Sequence, residues 1–123
     1  MEKNKYSILV IDDESFIREP IVEMLTYYGY TAVPAANGNE AISLLKKTYF
    51  DLVLCDISMP GQTGFEVFQE VKTFTPDVKF VFVSAFDNKE NIQKGMEMGA
   101  KAFIGKPFDT DELLDAIENI LKH

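Results

Sequence analysis

The chain has one cysteine and one histidine among its 123 residues. A lone Cys55 closes no internal disulfide and cannot build a thiolate metal cluster, which suits a reducing compartment. The only histidine, His123, is the last residue, which argues against imidazole catalysis and against a His-ligated metal. Any metal is therefore expected to be held by oxygen. Basic residues are also scarce, 12 Lys and Arg against 20 Asp and Glu, for a formal charge of −8. Nucleic acid and anionic membranes are bound through clustered Lys and Arg, so neither is expected as a direct partner; cations and basic protein surfaces are. No apolar run is long enough to span a bilayer. The stretch from Met1 to Lys5 leads into an apolar run shorter than a secretory core and lacks a small-residue cleavage site. The expected setting is the cytoplasm. Linkers, repeats and low-complexity tracts are missing too, so residues 1–123, at 46% hydrophobic, are read as one domain. A chain of this length buries somewhat over roughly 60% of its unfolded surface.

What is present is alternation. Apolar runs of strand length, Ile8–Ile11, Thr31–Ala35, Leu52–Cys55, Phe80–Val83 and Ala102–Ile104, are separated by segments of helical periodicity, the pattern of βαβ units on a parallel sheet. The first helix is expected from near Glu14, burying Ile17, Ile21, Met24, Leu25 and Tyr28, with a kink at Pro20 and a left-handed cap at Gly29. Pro34 cannot donate to a ladder, which puts the second strand at a sheet edge. Three helix starts carry a short polar residue with Glu three positions on: Asn37 with Glu40, Asp87 with Glu90, Asp109 with Glu112. Gly99 closes the fourth helix, and Leu113, Ile117, Ile120 and Leu121 form the apolar stripe of the fifth, which runs out near Lys122 with no remainder for an output domain.

Four of the runs are followed almost at once by chemistry: Asp12 and Asp13, Asp56, Ser84, and Lys106. Parallel neighbouring strands would bring these groups to one sheet edge. Three converging carboxylates repel one another, so their pKa values rise or a cation sits among them. Mg2+ takes an oxygen shell from carboxylates together with a phosphoryl group, and an ammonium and a hydroxyl beside it suit the remaining phosphoryl oxygens. Asp56, alone after the most uniformly apolar strand, is the nucleophile candidate; a carboxylate attacking phosphorus gives an acyl phosphate. The turn-rich segment from Ser58 to Gly64 can bend back to offer a backbone carbonyl to the metal. Cys55 is expected to be a small buried hydrophobe facing away from the site. Phe16 and Phe108, at helix starts on the same side, either anchor a partner or cover the sheet edge.

Asp12-Asp13, the segment Asp56-Ile-Ser-Met-Pro-Gly-Gln-Thr-Gly64, Ser84-Ala85, and Phe103 with Lys106-Pro107 together resemble the receiver domain of two-component response regulators, especially the single-domain chemotaxis and sporulation type. The resemblance covers essentially the whole chain. It implies a flavodoxin-like, doubly wound (βα)5 fold with five parallel strands in the order 2-1-3-4-5. It implies that Asp56 takes a phosphoryl group from a phosphohistidine on a sensor kinase or phosphotransfer protein. Asp13, Asp56 and the Ser58 carbonyl would bind Mg2+ with Asp12 assisting through water, Ser84 and Lys106 would hold phosphoryl oxygens, and Phe103 would turn inward after Ser84. A cis bond before Pro107 is implied as well, and a downstream protein would be met by the face of the fourth helix, fifth strand and fifth helix. Such a chain catalyses its own phosphorylation and hydrolysis without being a turnover enzyme. Ser84 and Phe103 stand where the family often has Thr and Tyr, which implies looser coupling. Phe86 and Ser58 flank the site, and bulky Phe86 is expected to shield the acyl phosphate. An aspartyl-phosphate phosphatase would need an acid at Ser58, and a flavin or nucleotide carrier would need a phosphate loop where Asp12-Asp13-Glu14 stands. The remaining alternative is the receiver of a longer regulator.

Overall fold

A computed structural model describes residues 6–122. Residues 1–5 and His123, read above as neither a leader nor a metal ligand, lie outside the described residues. The elements alternate as expected: β1 (Ser7–Ile11), α1 (Ser15–Tyr27), β2 (Thr31–Ala35), α2 (Gly38–Lys47), β3 (Leu52–Cys55), α3 (Gly64–Phe74), β4 (Phe80–Ser84), α4 (Lys89–Glu97), β5 (Ala102–Gly105) and α5 (Thr110–Lys122). All pairings are parallel and the strand order is β2-β1-β3-β4-β5. Pro34 therefore does sit on an edge strand, opposite Val10.

Strand side chains alternate between faces, and two apolar layers result. Leu9, Ile11, Val53, Cys55, Phe80 and Phe82 join Ala41, Ile42 and Leu45 of α2 and Phe65, Val67, Phe68 and Val71 of α3. Ile8, Val10, Leu52, Leu54, Val81, Val83 and Ile104 join Ile21 and Leu25 of α1 and Leu113, Ile117 and Leu121 of α5. Burial of both faces explains why the central runs are continuous apolar stretches rather than alternating ones. Helix α4 is the exception. Its one buried residue is Gly95, where a Cβ would come within 3.0 Å of the Phe82 ring and 3.4 Å of Phe103. Little apolar burial fixes α4, so polar ties matter more: the Lys72 ammonium donates to the Met98 carbonyl at 2.6 Å, and Lys94 lies 4.5 Å over the Phe65 ring.

Gly29 and Gly99 adopt φ of 95° and 108°, the left-handed turns expected after α1 and α4. Two sequence expectations fail. Tyr28 is 40% exposed: the chain turns at Gly29, and Tyr30, 5% exposed, enters the core in its place. The α4 cap is Asn88, accepting from the Asn91 N–H at 2.8 Å, while the Asp87 carboxylate covers Gly105. Asn37 and Asp109 accept from Glu40 and Glu112 N–H groups as expected, both at 2.8 Å. Thr63 and Glu66, overlooked in a turn-rich stretch, form a reciprocal capping box on α3. Lys106–Pro107 is cis.

Candidate functional site

Ladder bonds carry on past the strand ends and lock the reactive residues in register. Asp56 N–H donates to the Ile11 carbonyl at 3.0 Å, Asp12 N–H to Ala35 at 3.2 Å, and Lys106 N–H to Ser84 at 2.9 Å. The four strand ends therefore share one rim. Carboxylate oxygens of Asp12, Asp13 and Asp56 all come within 4.8 Å of one another. Lys106 Nζ donates to Asp12 Oδ2 at 2.8 Å and reaches Asp56 Oδ2 at 3.5 Å. Glu14 N–H holds Asp12 Oδ1 at 3.0 Å, and Ile57 N–H holds Asp56 Oδ1 at 2.7 Å. Asp12, Asp56 and Ser84 are the buried polar residues among those described.

This cup has excess negative charge. Burial pushes the Asp56 carboxyl up from its ordinary value; Lys106 pulls it back, Asp12 adds to the rise, and hydrogen bonds from Ile57 N–H and the Ser84 hydroxyl oppose it, leaving it raised. One ammonium faces three carboxylates, so a divalent cation is the natural complement, and an all-oxygen donor set suits a hard ion such as Mg2+. A cavity of about 470 Å3 opens above the cup, lined by Asp13, Asp56, Ser58, Lys106 and, at its margin, Met59 and Phe86.

Of the residues expected at the site, Asp12, Asp13, Asp56 and Lys106 meet directly, and Ser84, fully buried, lies close enough to Asp56 to draw its carboxyl down. Ser58 lines the cavity and is exposed. Phe103 stays away from the cup, half-buried with its ring centroid 6.0 Å from Phe82. Cys55 is 1% exposed and packs in the α2/α3 layer; burial, then the charges of Asp56 and Asp12, pushes its thiol well up, so it is no nucleophile. Phe86 is 54% exposed. Phe16 is 73% exposed, and with the half-buried Phe108 it lines a second cavity of about 220 Å3 beside α1.

Three supporting contacts were not foreseen. Arg18 donates to the Asp12 carbonyl at 2.6 Å. Gly64 N–H donates to Ile57 at 2.7 Å, and a Cβ on Gly64 would overlap the Asp56 carbonyl oxygen. Asn91 Nδ2 donates to the Phe86 carbonyl at 3.0 Å. Only the glycine gave a signal, as a turn residue; side-chain bonds to carbonyls five or six residues back have no spacing motif. Among the described residues no helix is long and apolar enough to cross a membrane.

Residues 8–118 match the response regulator receiver domain family. Sporulation initiation phosphotransferase F of Bacillus subtilis is 35% identical over 114 residues, covering 93% of this chain and 92% of that protein. Two solved structures superpose closely. Chemotaxis protein CheY4 of Vibrio cholerae has a TM-score of 0.89 at 29% identity, over 94% of this chain and 98% of its own. The response regulator TrrA of Thermotoga maritima, solved with Mg2+ and beryllium fluoride, has 0.85 at 34%, over 94% and 98%. With its sheet order, its acidic cup and these relatives in agreement, the chain belongs to the response regulator receiver domains, the phosphoacceptor switches of two-component signalling.

Proposed function

We propose that Asp56 is the phosphoacceptor of this switch and that Asp12, Asp13, Ser84 and Lys106 serve it. The observation that carries the proposal is the placing of Lys106 Nζ between Asp12 and Asp56, inside a cup where three carboxylates converge. Ile57 N–H occupies Asp56 Oδ1, so Oδ2, turned toward Lys106, is the attacking oxygen. It forms the new O–P bond as the P–N bond of a phosphohistidine breaks, and the imidazole nitrogen leaves with the bonding pair. Lys106 offsets charge on the transferred oxygens, and Ser84 donates its hydroxyl proton to one of them. Asp12, Asp13, Asp56 and the Ser58 carbonyl would hold Mg2+, which when bound supplies further positive charge to the phosphoryl oxygens.

The donor is a sensor histidine kinase or a histidine phosphotransfer protein, and the setting is the cytoplasm. A downstream protein would meet the α4-β5-α5 face, where Ile92 and Met96 are 37% and 44% exposed. Phosphorylation shifts a two-state population there, by as much as the two states differ in accommodating the phosphoryl group. Phe103, beneath α4, is the aromatic that would respond.

Incubation with a small-molecule phosphodonor and Mg2+ is expected to add one phosphoryl group to the intact mass, mapped by peptide analysis to Asp56, and nothing in chelator. A group found elsewhere, or added equally without metal, would overturn the proposal. Phe86 lines the cavity and limits water access to the acyl phosphate. Phe86→Ala is expected to hasten loss of the phosphoryl group several-fold in a mass-based time course; an unaltered half-life removes that role.

A further inference from the structure

The Ser84 hydroxyl works in two directions. It lies beside Asp56, whose carboxyl it draws down, and its oxygen accepts the Phe86 N–H at 3.0 Å. The carbonyl of Phe86 accepts Asn91 Nδ2, also at 3.0 Å. Asn91 lies in the first turn of α4, where its own N–H is already taken by the Asn88 side chain. A series of hydrogen-bonded groups therefore runs from the Ser84 hydroxyl, next to the Asp56 carboxylate, through the backbone of Phe86 to α4.

Two features give this series control over α4. The Phe86 ring is mostly in solvent, so the two backbone bonds on either side of that residue, rather than packing, define its position. Helix α4 has only Gly95 buried, and near its N-terminus the Asn91 amide is a direct tie to the site side of the molecule. We propose that Asn91 is a positioning residue: its side-chain amide transmits the place of the Ser84 hydroxyl to α4, and in the resting state holds that hydroxyl back. The inference rests on the function proposed above. A hydroxyl has one proton. When the Ser84 hydroxyl turns its proton to a phosphoryl oxygen on Asp56, the Ser84 oxygen moves, Phe86 N–H follows it or is released, and the Asn91 amide hands the displacement to the helix. Without that amide, the Phe86 backbone adjusts freely, the resting arrangement loses one hydrogen bond, and α4 loses its cue.

The test uses the full chain, with Mg2+ and beryllium fluoride as the phosphoryl mimic, followed by backbone amide NMR. In the wild type, the amides of Phe86 and of α4 are expected to shift together. In Asn91→Ala the Phe86 amide still shifts, the α4 amides move less than half as far, and the mimic binds about threefold tighter, the scale of one partly exposed hydrogen bond. Asn91→Asp, which cannot donate, should behave alike. Asn88→Ala weakens the α4 cap without touching Phe86 and should leave the coupled shifts in place. Binding that requires Asp56 but gives wild-type α4 shifts and affinity in Asn91→Ala overturns this inference alone. Decoupling of the same size in Asn88→Ala does so too, since helix stability would then be the cause. Equal binding by Asp56→Asn, or none by the wild type, takes the proposed function down with it.

Discussion

Asp56→Asn is expected to take up no phosphoryl group under conditions that label the wild type fully, and to unfold at a higher urea concentration in chelator. The first effect follows because a carboxamide cannot act as the acyl-phosphate nucleophile, while its shape is unchanged and its oxygen still accepts from Ile57 N–H, as Asp56 Oδ1 does at 2.7 Å. The second follows from the sign of the Asp56 perturbation. Burial and the Asp12 charge raise its pKa in the folded protein, so the folded state binds that proton more tightly than the unfolded chain does. The ionised form therefore costs stability at neutral pH, a cost present above the folded pKa and absent below the unfolded one. An amide removes it without stranding Lys106, which keeps Asp12 at 2.8 Å. The gain should be about 1 kcal/mol, the usual scale for relieving an unfavourable charge, read as a higher midpoint at unchanged slope. Mg2+ should narrow the gap, since an ion bound by the native wild type stabilises it by mass action. A lowered midpoint in chelator would show that the Asp56 charge is compensated within the fold.

That the proposed nucleophile could be picked out of the sequence comes from the parallel sheet. Both faces of β1, β3 and β4 are covered, so each reads as an unbroken apolar run, and the first polar residue after it marks the rim. Asp12, Asp56 and Lys106 stand on that rim because ladder bonds persist one residue past the strands, and Ser84 because it ends β4. Composition narrowed the expected ligand atoms by similar means, since one histidine and one cysteine stand against 20 Asp and Glu. What the sequence hid was pairing and direction. Nothing in the spacing tells Lys106 to lie closer to Asp12 than to Asp56. Apolar periodicity cannot see that Gly29 turns the chain and seats Tyr30 rather than Tyr28. Asp87 and Asn88 are equally good caps by type, and because the Asp87 carboxylate covers Gly105 the cap falls to Asn88. The bonds of Arg18 and Asn91 to carbonyls six and five residues earlier depend on the path of the intervening loop, which no capping pattern encodes.

The second large effect is expected from Gly64→Ala. Gly64 opens α3 and is buried, and its backbone has no positive φ, so alanine meets no conformational penalty there. The obstacle is steric: the new methyl carbon would fall on the Asp56 carbonyl oxygen and within 3.0 Å of Ile57 Cα. Neither side can give way easily. The Thr63–Glu66 capping box fixes the start of α3, with Thr63 N–H on Glu66 Oε1 at 2.8 Å, and Gly64 N–H is bound to Ile57 at 2.7 Å. Asp56 N–H is held by Ile11 at 3.0 Å. Strain must therefore fall on the peptide that carries the proposed phosphoacceptor. Overpacking of this kind costs about 1–3 kcal/mol, and the shift of Asp56 should also weaken the stabilisation that added Mg2+ confers. Gly61 supplies the contrast within the same loop. It has φ of 84° and no atom within 4 Å of a would-be Cβ, so Gly61→Ala carries only backbone cost, about 1 kcal/mol. Urea unfolding of both variants, with Mg2+ and in chelator, separates the two. Gly64→Ala should lose more stability and much of its response to Mg2+, whereas Gly61→Ala should keep that response. Equal losses and equal responses would mean that the loop absorbs the methyl without moving Asp56.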